Sequence, residues 1–363
     1  MNTRVLVAMS GGVDSSVAAA ILREDGYDVV GVAMRLAETS EGPRRRGTCC
    51  SHDDFEDARR VAERMDFPFY VVDLRAEFAT RVIDNFVSEY LHGRTPNPCV
   101  MCNREIKFDR LWTRARALDA DFVATGHYAR IARDEDGRFH LMRAADNAKD
   151  QSYFLFTLGQ DELSRTLFPL GSMCKSEVRR RARELGLANA DKAESQEICF
   201  VSDGNYAGFV TDKAASAEIR QGRIVDSQGR ALGIHQGVHR FTIGQRRGLG
   251  VIAGEPLYVN AIHAETGEVR VGPRAALEAA GLIAERVSLV DHESAMGNNQ
   301  IEAKIRYRHP PIPASIKLLT DARAEVRFTH SGPAVTPGQA CVFYRGDEVL
   351  GGGFIQCAIE RAA

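Results

Sequence analysis

This 363-residue chain lacks any apolar run long enough to span a bilayer, so a helical membrane protein is excluded. It also lacks a basic-then-apolar leader, because the first residues run straight into an apolar stretch; a cytoplasmic location without a secretory signal is the expectation. Charge of one sign is missing too. Lys and Arg number 47 against 49 Asp and Glu, a net −2, so a nucleic-acid partner would have to be held by local basic patches. Internal repeats and low-complexity segments are absent, which argues against a solenoid or a disordered linker protein. Eight cysteines outside a secreted context read as reactive, metal-binding or buried thiols rather than a disulfide framework. The length allows two or three domains, each with its own core.

Two phosphate-binding patterns are also missing: no Lys precedes a final Ser or Thr, as a nucleotide-cleaving P-loop requires, and no G-x-G-x-x-G appears. What stands there is an apolar run, Val5 to Met9, then Ser10-Gly11-Gly12-Val13-Asp14-Ser15-Ser16, then the helix-forming Val17 to Leu22. This predicts a buried parallel strand, a glycine-rich turn and a helix N-terminus. Glycines let the backbone approach a ligand, and free N–H groups and the helix dipole favour an anion. The S-G-G-V-D-S segment resembles the pyrophosphate loop of ATP pyrophosphatases, which activate a substrate as an adenylate. The bland alternative is an ordinary tight turn.

Strands are predicted at Tyr27 to Met34, Phe69 to Asp73 and Phe122 to His127. Helices are predicted from about Asp53 to Met65, Ala76 to Leu91 and Glu105 to Leu118. Alternation at this spacing means an α/β fold with a doubly wound parallel sheet, and Asp14, Met34 and Gly126-His127 fall at the ligand-binding strand ends. From about Gly204 no long helix is evident; Gly222 to Asp226 and Phe241 to Gly244 are strand candidates. Beyond about Ala280, Ile301 to Tyr307, Ala324 to Phe328 and Ala340 to Tyr344 suggest an antiparallel sandwich or small barrel. The expected division is residues 1–204, a small mostly β segment 205–280, and a β-barrel 281–363, with a linker near Ser202 to Asn205.

Thr95-Pro96-Asn97-Pro98-Cys99-Val100-Met101-Cys102-Asn103 places Cys102 at or just before a predicted helix start, where the dipole favours a thiolate. Cys199 lies in Ser195-Gln196-Glu197-Ile198-Cys199-Phe200. Cys174, Cys341 and Cys357 are read as small buried hydrophobes. Cys99-x-x-Cys102 with Cys199 offers three thiolates able to hold a [4Fe–4S] cluster with one iron open, and Cys49-Cys50 adds a weaker zinc-like option.

S-G-G-V-D-S, T-P-N-P-C-V-M-C-N, A-T-G-H-Y-A-R, K-D-Q-S-Y-F-L and S-Q-E-I-C-F occur in that order, followed by R-Y-R-H-P at Arg306 to Pro310 and P-G-Q-A-C-V-F-Y at Pro337 to Tyr344. Together they closely resemble the tRNA-specific 2-thiouridylase family, over the length of the chain. The resemblance implies an adenine nucleotide hydrolase-like first domain that binds ATP through Ala8, Met9, Ser10, Gly11, Gly12, Val13, Asp14 and Ser15, with Met34 and Gly126. It implies Cys102 as nucleophile and Cys199 as persulfide carrier, paired as a disulfide in the spent enzyme. Asn97, Pro98 and position 99 would contact the target base, and His127, Lys149, Asp150, Gln151, Arg306, Tyr307 and Gln339 would touch tRNA. Many family members carry Asp where this chain has Cys99, which keeps the cluster alternative open beside the persulfide route. Asp14 would place Mg²⁺ or orient the loop, and a persulfide-donating relay protein is the expected second partner.

Three basic groups fit phosphate contacts along a folded RNA: Lys175 to Glu184 with Arg179-Arg180-Arg181, His239-Arg240 with Arg246-Arg247, and Arg306 to His309. An anticodon base has to leave its stack to reach an enclosed site. Two other readings stand beside thiolation. An amide-forming adenylating synthetase would need neither paired cysteines nor an RNA surface, and a non-catalytic RNA-binding or sulfur-carrier module would show no ATP cleavage.

Overall fold

The structure is a computed structural model that describes residues 2–37, 52–192, 198–201, 204–215, 219–292 and 300–361. Cys49 and Cys50 and the Ser195 to Glu197 part of the second cysteine motif lie outside the described residues. Two compact units divide the chain. The first takes residues 1–82, 99–204 and 347–349; the second takes 83–98, 205–346 and 350–363.

In the first unit β1 (Arg4–Ala8) leads into α1 (Val13–Glu24), followed by β2 (Asp28–Arg35), α2 (His52–Arg64), β3 (Phe69–Asp73) and α3 (Arg75–Phe78). A π-helical turn, Ala79–Ile83, continues α3 into α4 (Asp84–Leu91). Likewise α5 (Pro98–Met101) runs through a π-helical segment, Cys102–Phe108, into α6 (Asp109–Ala117). Then come β4 (Phe122–Thr125), a hairpin of β5 (Arg130–Arg133) and β6 (Phe139–Met142), α7 (Gln160–Leu163), β7 (Thr166–Leu167) and α8 (Lys175–Glu184).

The sheet order is β3-β2-β1-β4-β7, parallel throughout. Strand alternation explains both of its covered faces. Val5 and Val7 join the cluster made with α1, α2 and α8, while Leu6 joins Val30, Val32, Leu111, Ala115 and Val123 on the opposite face. Burial of each such side chain contributes about 1.5–3 kcal/mol. Strand order reverses at β1, with β2 on one side and β4 on the other, and a doubly wound sheet opens its ligand crevice at such a point. The expected parallel fold is therefore present.

The second unit carries α9 (Tyr206–Lys213), a helix unforeseen in the sequence and capped by the Asn205 side chain, which accepts from Gly208 N at 2.9 Å. It packs on α4, with Phe86 against Phe209 and Tyr90 stacked on Tyr206. A four-stranded sheet follows, built from β8 (Gly222–Val225), β9 (Ala231–His235), β10 (Tyr258–His263) and β11 (Glu268–Gly272). Phe241 to Gly244 is not a strand. A 3₁₀ turn at Val238–Arg240 precedes it and Gly244 adopts φ +88°, so the chain turns back instead of extending. The last six strands, β12 (Ala279–Leu289), β13 (Gln300–Lys304), β14 (Ile312–Leu318), β15 (Ala324–Gly332), β16 (Ala340–Arg345) and β17 (Glu348–Ile359), close as an antiparallel barrel through the β12–β17 pairing. Its interior holds Leu282, Ile301, Ala303, Val326, Cys341, Phe343 and Ile355. Among the described residues no helix is long and apolar enough to cross a membrane.

Candidate active site

The turn from β1 to α1 is arranged around its glycines. Gly12 is the N-cap residue, extended at ψ 160°, and has no side chain to occupy the first-turn N–H groups. Gly11 sits at φ +72°, where a Cβ would stand 2.1 Å from the Asp54 carbonyl oxygen of α2. Gly126, just past β4, leaves room for the same helix start: a Cβ there would lie 2.7 Å from Ser15 N. The serines turn inward. Ser15 and Ser16 donate to the Gly12 carbonyl at 3.1 and 3.0 Å, and Ser10 N donates to Ser15 Oγ at 3.1 Å. A helix N-terminus bared in this way is suited to an anion. Met9 and Val13 are buried beneath the loop, and Met34 lies near the end of the adjacent β2.

Two lysines absent from the sequence-based site hold this loop. Lys175, at the start of α8, reaches both oxygens of Asp14 at 2.8 and 2.7 Å, and Tyr128 Oη donates to Asp14 at 2.7 Å. Lys192 donates to Gly11 O at 3.3 Å and to Asp54 and Asp57 at 2.6 Å each, while Asn189 donates to Gly11 O and Ser16 Oγ. Burial lowers the Lys192 pKa, but its bonds to the two aspartates outweigh this and raise it overall. The basic run at Lys175 and the tyrosine of A-T-G-H-Y were visible in the sequence; their partners, over a hundred residues away, were not.

Asp14 accepts from Lys175 and Tyr128, an arrangement that orients the loop. Among the described residues no group of three or more His, Cys, Asp or Glu side chains is placed to hold a metal ion. Cys99, Cys102 and Cys199 are all described and form no such group in this arrangement.

The cysteine-bearing helix starts earlier than expected. Pro98 opens it, a position where its fixed φ and missing N–H are tolerated, and Cys102 lies a full turn inside, buried, at the first residue of the π-helical segment. The exposed residue at the helix start is Cys99. Asn103 donates to the Phe154 carbonyl at 3.2 Å. α3 packs on the same π-helical segment, and its Phe78 edges Phe200, next to Cys199, with ring centroids 5.7 Å apart. The two cysteine segments thus converge on α3. Of the cysteines read as buried hydrophobes, only Cys341 is buried; Cys174 and Cys357 are exposed, at a helix cap and late in β17. Burial raises the Cys341 pKa.

Comparison with known proteins agrees with this layout. Residues 3–203 match the tRNA methyl transferase HUP domain, 208–273 the tRNA methyl transferase PRC-barrel domain and 279–355 the aminomethyltransferase beta-barrel domain. The chain is 55% identical to the tRNA-specific 2-thiouridylase MnmA of Geotalea uraniireducens strain Rf4, over 98% of this chain and 96% of that protein. It is 53% identical to the protein of the same name from Geobacter metallireducens, over 99% of this chain and 98% of that one. The chain belongs to the tRNA-specific 2-thiouridylase family. Among solved structures, a distant likeness is to a 4-thiouridine synthetase–RNA complex with bound ATP, 15% identical, covering 58% of this chain and 50% of that one at TM-score 0.36.

Most residues that the family resemblance associates with tRNA have internal partners here. Asp150 is buried and accepts from Ala144 N, Ser152 N and Ser152 Oγ. Gln151 accepts from Tyr128 N at 3.0 Å and donates its own N–H to the Tyr128 carbonyl, so the Lys149-Asp150-Gln151 segment is tied through Tyr128 to Asp14 and the phosphate loop. His127 bonds Thr125 Oγ1 at 2.8 Å and stacks on Phe108; burial, helped by the nearby Lys107 cation, holds its pKa well below the usual value and keeps it neutral. In the second unit Asn97 is buried, Lys304 lies over the Tyr307 ring, and Arg306 and Gln339 bond to backbone. On α8, Arg180 and Arg181 face Glu184, and Arg181 also faces Glu24.

Proposed function

We propose that the protein is the ATP-dependent enzyme that replaces the C2 oxygen of the tRNA wobble uridine by sulfur. The observation that carries this reading is one connected network in the first unit. The phosphate loop joins through Asp14 to Tyr128 and Gln151, and one turn further on Phe154 receives the Asn103 bond beside Cys102. Hydrogen bonds thereby link the loop read as the nucleotide site, the segment read as an RNA contact and the helix that carries the proposed nucleophile.

The uracil C2 oxygen is a poor leaving group. Its attack on the α-phosphorus of ATP forms an O–P bond and expels pyrophosphate, whose negative charge the bare N-terminus of α1 stabilises. A terminal persulfide sulfur on Cys199 then attacks C2 and AMP departs. The Cys102 thiolate attacks the Cys199 sulfur, releasing 2-thiouridine and leaving a Cys102–Cys199 disulfide, which a two-electron reductant returns to thiols. The sulfur comes from a persulfide-donating protein, and the ATP ligands are Ala8 to Ser15 with Met34 and Gly126. The division into catalytic residues 1–204, a central segment 205–280 and a barrel 281–363 belongs to the same reading.

The test supplies ATP, Mg²⁺, a sulfur donor and unmodified tRNA, and follows AMP and 2-thiouridine by nucleoside mass spectrometry for wild type, Cys102→Ser and Cys199→Ser. AMP and thiolated base that appear only with tRNA, with thiolation dependent on both cysteines, are expected. AMP formed without tRNA, and no thiolated base, would reassign the loop to a small-molecule synthetase.

A further inference from the structure

The arm that leads into the Cys99–Cys102 helix is gripped within the second unit by a turn of the barrel. Thr95 N donates to the Pro337 carbonyl at 2.8 Å, and Gln339 Nε2 donates to the carbonyls of Thr95 and Pro96 at 2.9 and 3.2 Å. Thr95 Oγ1 meets Thr242 Oγ1 at 3.2 Å. Gly338, at φ +88°, allows the close approach: a Cβ there would stand 3.0 Å from both Thr95 N and Thr95 O. The turn is itself braced. Arg306 donates to Thr336 Oγ1 at 2.7 Å and to Ala334 O at 3.0 Å, while Gly338 and Gln339 exchange backbone bonds with Ile355 at 2.8 Å.

We propose that Gln339, seated by Gly338, is a positioning residue that sets the register of the Thr95–Pro98 arm and so the place at which Cys99 and Cys102 enter their helix. A carboxamide nitrogen has two hydrogens. Both are directed at arm carbonyls, which leaves only Oε1 to meet RNA. Pro96 and Pro98 have fixed φ and no N–H, so the arm cannot be held as a regular ladder strand; its carbonyls and the N–H groups of Thr95 and Asn97 are the backbone handles it has. The same stiffness carries a displacement at Thr95–Pro96 the few residues to Cys99 and Cys102 instead of absorbing it. This assignment rests on Cys102 being the nucleophile of the proposed reaction.

The experiment compares the full-length wild type with Gln339→Ala, Gly338→Ala and the near-isosteric Thr242→Val. Three readouts are taken: tRNA affinity by filter binding, single-turnover thiolation at saturating tRNA, and the iodoacetamide alkylation rate of Cys102 by peptide mass spectrometry. For Gln339→Ala the thiolation rate at saturation falls on the order of 10- to 100-fold, the loss that a shift of about 1 Å causes. Cys102 alkylation changes about threefold or more as its surroundings move. The tRNA dissociation constant stays within about twofold, since Gln339→Ala removes no cation that meets phosphate and the side-chain nitrogen it loses is already spent on the arm. Gly338→Ala follows Gln339→Ala, and Thr242→Val, which loses a hydroxyl shared between Thr95 and Tyr206, moves the rate and the alkylation in the same direction by less. Weaker tRNA binding with an unchanged saturated rate and unchanged Cys102 alkylation would make Gln339 an RNA contact and overturn the proposal. If the wild type thiolates no tRNA the functional reading fails by itself, and alkylation still decides: altered rates in Gln339→Ala and Thr242→Val support the socket, unaltered rates refute it.

Discussion

Replacing Lys175 by Met removes the cation that answers Asp14 beneath the phosphate loop. Its ammonium lies 2.8 and 2.7 Å from the two carboxylate oxygens, with the side chains 11% and 28% exposed. At an effective dielectric constant of about 20 the attraction is roughly 6 kcal/mol, and desolvation of both ions offsets about half of it. The net cost of Lys175→Met is therefore about 3 kcal/mol, which lowers the melting temperature of the first unit by roughly 6–12 °C. Trp112, the single tryptophan, lies in α6 of that unit, and its fluorescence follows the transition. An uncompensated carboxylate in the first turn of α1 also repels the nucleotide phosphates, so ATP affinity by calorimetry falls at least about tenfold. Asp14→Asn/Lys175→Met, with neither charge, regains most of the stability and part of the affinity, a coupling of about 2 kcal/mol. Single variants that each cost under about 1 kcal/mol and add without coupling would refute the pairing as an organiser of the loop.

Other consequences are as specific. Gly11→Ala combines a left-handed backbone with a clash against Asp54 O and costs about 2–5 kcal/mol; ATP titration should show weak or no binding. His239 is fully buried, and burial, with Arg240 and His235 nearby, depresses its pKa from 6.5 to about 4. The neutral ring is the native form, so its contribution, up to about 3 kcal/mol, is present above pH 6.5 and is lost as pH falls towards 4. Urea midpoints between those pH values should fall for wild type and fall less for His239→Gln; parallel lines would contradict it. Because carboxylates already answer Arg180 and Arg181, neutralising Arg179 to Arg181 together should lower the salt slope of tRNA binding by about one or less, and an unaltered slope removes α8 from the RNA-facing surface.

Local and periodic signals carried the sequence reading far, and its errors have two causes, one local and one long-range. The strand-turn-helix at Val5 to Leu22 and the cationic helix at Lys175 to Glu184 need only apolar periodicity and glycine chemistry, and both form where expected. The cysteine helix was expected to start near Cys102, but it begins at Pro98, since proline is favourable at the first helical position; Cys102 thus lies in a buried turn inside it and not at its start. Long-range pairing was invisible. Nothing near Asp14 announces Lys175, nothing near Gly11 announces Lys192, and Gln339 lies 244 residues from the Thr95 carbonyl it holds. A family motif marks such residues as important without saying why. Asp150 and Gln151 stand in a segment associated with RNA, yet their side chains fasten Ser152 and Tyr128, and Tyr128 fastens Asp14. A polar residue that a motif assigns to a ligand can serve that ligand by holding the backbone that meets it, and only the partners of its hydrogen-bonding atoms separate the two roles.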